Sequence, residues 1–266
     1  MARLFALLAL CLTLVPATGP AQVLDEIVER GTIRIGVSPF VPWTFENTEG
    51  ALAGFEIDVG RRIATDIGVE AEFVEIPFDE IIDRLNAGEI DMIAAGMAIT
   101  PARALRLNFT NPYFESGVTI ATNTAATAEI DSLSALTTAG LPVAAVTDTL
   151  AAGLAPRLMG ESPVTLFPTS EAARASVLAG ESAVYVASVP EAQFFVLRHP
   201  EAVDLPLPEP MIRSVAGFGV RKGAHDWLAF LNAWIAAREA DLWLTSAHAY
   251  WFESLDWADS VAGDAE

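Results

Sequence analysis

"DMIAAGMAITPARALRLNFTNPYF", residues 91–114, carries the organisation of the chain in one short piece. A nearly continuous apolar run over 91–95 has the composition of a strand buried on both faces. It gives way to a Thr-Pro pair, and Arg103 and Arg106 follow within six residues. Asn108-Phe-Thr-Asn-Pro-Tyr-Phe then reverses the chain. A cation just past the end of a buried strand, in a chain this acidic, asks what it is there to meet.

The chain has 266 residues, 52% hydrophobic and 19% charged, enough for one large domain or two lobes. Its 15 Lys and Arg stand against 35 Asp and Glu, for a formal charge of -20. Such a surface repels polyanions, so the charge argues against nucleic acid and anionic membrane as partners. Residues 1–21 read as a secretory leader: Arg3, an apolar run over 4–15, Pro16, then small residues to Ala21. Cleavage there leaves Gln22 as the first residue and removes the single cysteine, Cys11. The mature chain is then expected in an exported compartment without disulfides, relying on a sizeable core.

Helix and strand signals alternate along the remainder. Strands are expected at 32–37, 69–76, 91–95, 141–146, 164–167, 183–187 and 215–220. Helices are expected at 23–30, 55–67, 79–86, 131–136, 149–159, 171–179 and 190–198, and from 226 onward. The helix over 55–67 places apolar residues 55, 59, 63 and 67 on one face, and Gly68 stops it. This alternation predicts an α/β protein with mainly parallel sheets. Two blocks of about a hundred residues, joined near 111–122, suggest two lobes.

The stretches "RGTIRIGVSPFVPWTF", "LAGFEIDVGRRIATDIGV", "EIPFDEIIDRLNAGEIDMIAAGMAITPARALRLNFTNPYF" and "GFGVRKG" resemble the family 3 extracellular solute-binding proteins. These are receptors of polar amino acid ABC transporters. The resemblance is specific over about residues 29–122 and weaker to about 245. It implies a two-lobe, type II periplasmic binding protein-like fold, each lobe a mainly parallel sheet flanked by helices. Residues 22–115 and 216–266 would form the first lobe and 116–215 the second. Crossovers are implied near 113–122 and 205–216.

The same resemblance implies that Arg103 grips a ligand carboxylate, with the Gly96 and Ala98 amides completing the cradle. A guanidinium suits that task because it offers a carboxylate two parallel charge-assisted hydrogen bonds. Arg106, on another face, reads as a surface ion pair. Phe40 and Phe78 would sandwich the ligand, with Trp43 nearby and Ser38 as a first-lobe polar contact. The family's anion-cradling turn corresponds to "TDTL", residues 147–150, which brings in Asp148 and Thr149. The aspartate that holds an α-ammonium in such receptors is replaced by Ser188, and an earlier one by Ala183. Asp148 is either a substitute for that aspartate or a helix N-cap. Unless it substitutes, the expected ligand is a small carboxylate without an ordinary ammonium.

His199, His225 and His248 match no metal spacing, and no P-loop, dinucleotide fingerprint or nucleophile elbow is present. The reading therefore expects no cofactor, no metal and no catalytic residue. The expected protein is a periplasmic, monomeric receptor, not inserted in the membrane, with a small carboxylate ligand and an ABC transporter permease as partners. An accessory or sensor protein and a dehydratase-like enzyme on the same fold are the alternatives.

Overall fold

Two mixed sheets organise the residues described by the computed structural model, 23–254 and 256–262. The expected leader lies outside them. The chain begins with α1 (Val23–Arg30), β1 (Thr32–Val37), a small hairpin of β2 (Phe45–Glu46) and β3 (Leu52–Ala53), and α2 (Phe55–Ile67). It continues through β4 (Glu70–Glu75), α3 (Ile81–Ala87), β5 (Met92–Ile93), α4 (Pro101–Ala104) and β6 (Asn108–Phe109). The second body holds β7 (Phe114–Asn123), α5 (Leu133–Thr138), β8 (Val143–Val146), α6 (Leu150–Leu158), β9 (Val164–Phe167) and α7 (Ser170–Leu178). Then come β10 (Val184–Ser188), α8 (Val189–Arg198), β11 (Val203–Asp204) and β12 (Ile212–Ala216). The chain returns as β13 (Gly219–Val220), α9 (His225–Ala240) and α10 (Trp243–His248).

The first sheet has the order β4-β1-β5-β13-β6. β1 runs parallel to β4 and β5, whereas β13 is antiparallel to β5 and β6. The second has the order β11-β7-β10-β8-β9, with β12 on β7. β8 is parallel to β9 and β10 and buried at every residue, as its apolar sequence requires. The antiparallel pairings come from the strands that carry the chain between the lobes.

Helix packing follows the apolar periodicity. Phe55, Val59 and Ile63 of α2 are buried, and Gly68, at φ 83°, ends the helix in the left-handed conformation. Trp227, Leu231, Trp234 and Ile235 form the buried face of α9. Asp91, the one polar residue of the apolar run, is buried but paired. Its carboxylate accepts from the Arg34 backbone at 2.8 Å and from the Arg34 side chain at 2.7 Å, fastening β5 to β1.

β7 and β12 form the connection between lobes, paired antiparallel with Phe114 opposite Ala216 and Ser116 opposite Ser214. The single strand expected over 215–220 is divided. Its first residues close β12 in the second sheet, Gly217 and Phe218 turn across, and Gly219–Val220 joins the first sheet. A continuous apolar sequence hides that change of sheet.

Candidate ligand-binding cleft

The cleft lies where the C-terminal end of β5 faces the N-terminal ends of α6 and α8, the usual ligand position at an open α/β edge. Its first wall is set by local chemistry around Thr100. The Thr100 side chain caps α4 by accepting from the Arg103 amide at 3.2 Å, and Pro101 occupies the first helical position. That single turn lifts Arg103 over the cavity.

The Arg103 guanidinium donates to the Ala98 carbonyl at 2.9 Å and, across the cleft, to the Asp148 carbonyl at 2.7 Å. It also lies over the Phe78 ring, 5.2 Å from the centroid. Burial lowers its pKa to about 10, against the opposing pull of the Asp148 charge. It thus stays cationic at neutral pH. No carboxylate forms a salt bridge with it among the described residues, and its remaining N–H groups are available to an anion. Arg106, by contrast, pairs with Asp83 in the open.

Phe40, Trp43, Phe78, Gly96, Ala98 and Arg103 line the cavity from the first lobe. Thr149, Leu150 and Ala151 of the α6 start, with Tyr185, Ser188 and Glu191, line it from the second; Ser116 and Ser214 of the crossovers close its back. About 70 Å³ remains in which the centre of a water molecule can move, room for a small solute.

Several expected roles change. Ser38 is fully buried, donates to the Ile76 carbonyl at 2.7 Å and does not reach the cavity. The Gly96 amide cannot serve a ligand, because it donates to Glu56 Oε1 at 2.7 Å. The Ala98 amide has no protein acceptor among the described residues. Phe40 and Phe78 pack edge to face with centroids 5.3 Å apart, so they form one wall and leave no slot between them. Trp43 is buried against Phe55 and Phe114 while one side of it meets the cavity.

Asp148 is neither the N-cap nor a cavity-lining residue. Thr149 caps α6, accepting from the Ala152 amide at 3.0 Å. Asp148 itself takes the left-handed conformation, φ 57°, which turns its carbonyl toward Arg103 and leaves its side chain exposed.

One acidic residue escaped the sequence reading. Glu191 is 5% exposed and lines the cavity behind Ser188. Its Oε1 accepts from Ser170 Oγ at 2.5 Å and Tyr185 Oη at 3.0 Å, and its Oε2 accepts from Ser188 Oγ at 3.1 Å. Burial raises its pKa, opposed by the Ser170 bond and the nearby Arg174 charge. The signal was present as Ser188-Val-Pro-Glu191, a Ser-x-x-Glu at a helix start. In the folded chain that Glu faces the cleft instead of the helix backbone. Among the described residues no group of three His, Cys, Asp or Glu is placed to hold a metal, and no helix is long and apolar enough to cross a membrane.

Residues 33–254 match the family described as bacterial extracellular solute-binding proteins, family 3. The histidine-binding periplasmic protein of Escherichia coli strain K12 is 33% identical over 129 residues, 47% of this chain and 49% of that protein. Two solved structures align more fully. An ancestral amino acid-binding protein, described as a precursor of cyclohexadienyl dehydratase, has a TM-score of 0.79 and 29% identity, over 88% of this chain and 100% of its own. An ancestral arginine-binding protein bound to arginine has a TM-score of 0.77 and 30% identity, over 84% and 99%. The chain spans less than half the length of the curated relatives it matches. Its two-lobe α/β fold is that of the type II periplasmic amino acid-binding proteins.

Proposed function

Because this chain belongs to the bacterial extracellular solute-binding proteins of family 3, we propose that it is an exported, periplasmic receptor delivering a small amino acid or amino-acid-like compound to an ABC transporter permease. The observation that carries this reading is Arg103, a half-buried cation at the cleft mouth with two carbonyls and an aromatic face around it but no salt-bridged carboxylate. A partly desolvated guanidinium with free donors is stabilised by an incoming carboxylate.

Ser188 alone pointed to a ligand without an ordinary ammonium. Glu191 favours the opposite choice. It places a carboxylate with a spare lone pair on Oε2 at the second-lobe side of the same cavity. Arg103 and Glu191 together suit a small zwitterion, carboxylate toward one and ammonium toward the other. Calorimetry and thermal shift over the twenty common amino acids test this, since a ligand at 100 times its Kd adds about 2.7 kcal/mol of stability.

A second reading, a dehydratase-like enzyme, draws on the same Glu191. A buried carboxyl with a raised pKa is also a proton donor. Product formation from a hydroxy-substituted carboxylate by the purified protein would favour it; unchanged solute over many hours would favour the receptor.

A further inference from the structure

Glu56, in the first turn of α2, is completely buried and outside the cavity lining. Its Oε1 accepts from two donors, the Gly96 amide at 2.7 Å and the Tyr113 hydroxyl. Its Oε2 has no partner among the described residues. Isolated carboxylate oxygens are costly to bury, and an apolar residue of the same volume would serve packing better. The side chain therefore calls for a reason other than core stability.

The two donors supply one. Gly96 opens the loop that presents Ala98 and leads into the turn bearing Arg103. Tyr113 immediately precedes β7, the outgoing crossover, and its amide donates to the Ala216 carbonyl of β12, the returning one, at 3.1 Å. Its ring stacks on Phe218, just beyond β12, with centroids 3.9 Å apart. A single buried oxygen thus joins the ligand loop to the roots of both crossovers.

We propose that Glu56 is a positioning residue that locks the ligand-holding loop to the hinge, so that Ala98 and Arg103 keep their places while the lobes move. This rests on the receptor reading for its purpose, but not for its geometry. Gly96 is held at φ +56° with the Trp43 indole against its other side, so the loop is gripped from two directions. Tyr113 is the one titratable group facing Glu56 among the described residues; the neighbouring Asp58 turns instead to the Trp251 indole at 2.9 Å.

The test compares Glu56→Gln, which keeps an acceptor oxygen, with Glu56→Met, which fills the volume without one. The first readout needs no ligand: amide exchange and chemical shift of Gly96 by NMR. Glu56→Met should speed Gly96 exchange and move its resonance, while amides of β1 stay as they were; Glu56→Gln should retain protection. The second readout is calorimetric affinity for L-arginine, L-histidine and L-glutamine. Binding should weaken about 10- to 100-fold in Glu56→Met, the loss expected for a hydrogen bond to a charged group, and recover in Glu56→Gln. Unchanged Gly96 exchange and affinity in a folded Glu56→Met would overturn the proposal. Absence of binding by the natural protein, with Gly96 behaving as described, would count against the receptor reading and leave the Glu56 link standing.

Discussion

The Arg103 guanidinium donates across the cleft to the Asp148 carbonyl at 2.7 Å, so one side chain from the first lobe already touches the second. It can do so because Asp148 adopts φ 57° and turns its carbonyl inward. A residue so placed can both hold an anion and sense closure.

Arg103→Ala is expected to weaken ligand binding by roughly 30-fold to several thousand-fold, since losing one partner of a desolvated charge pair costs about 2–5 kcal/mol. Arg106→Ala, which breaks only the exposed pair with Asp83, should leave affinity nearly unchanged. Titration calorimetry on both variants separates them, and equal losses would count against the assignment.

Glu191→Gln should act on ligand choice more than on folding. The amide keeps the volume and an acceptor oxygen but removes the negative charge that the proposed ammonium would meet. Affinity for amino acids should fall, while affinity for the matching 2-keto acids stays level or rises. A parallel drop for both ligand classes would mark Glu191 as structural.

How much of this was legible follows residue by residue. Arg103 was singled out by the resemblance around its Thr-Pro turn, and the Thr100 cap with Pro at the next position explains where that turn points. Glu56 and Glu191 were not, because an acid in the first turn of a helix looks like an ordinary surface residue favouring the helix dipole. Only the packing of β5 and the crossovers over α2, and of α7 and β10 over α8, buries them. The Gly96 amide failed as a cradle donor for the same reason: no spacing rule reveals that a distant carboxylate has claimed it.

Gly96→Ala should lower stability by about 1–3 kcal/mol, combining left-handed backbone strain with overpacking. An added Cβ would lie 2.8 Å from the Trp43 indole, and φ is +56°. Urea denaturation measures the change, and a midpoint equal to that of the natural protein would contradict the described loop.

Stability should also carry a pH signature from Glu56. Burial raises its pKa from 4.5 to about 7, partly offset by the Tyr113 and Gly96 bonds. Between those values the folded chain retains a proton that the unfolded chain releases, so stability falls as pH rises through the window, by on the order of 3 kcal/mol. Burial pushes Asp58 and Glu191 in the same direction, so the natural profile alone is a mixture. Glu56→Gln removes one contribution, and its stability relative to the natural protein should increase from pH 4.5 to about 7. Parallel urea profiles would show that Glu56 does not titrate there.

Arg103 and Glu191 are proposed to hold the two ends of one small zwitterion between the lobes. The most direct measurement is calorimetric titration of the natural protein with the twenty common amino acids and, for each that binds, its 2-keto acid. At least one amino acid should bind with micromolar or tighter affinity, and its keto acid roughly 30-fold to several thousand-fold more weakly. Keto acids binding as tightly as the amino acids, or no heat from any amino acid, would contradict this assignment.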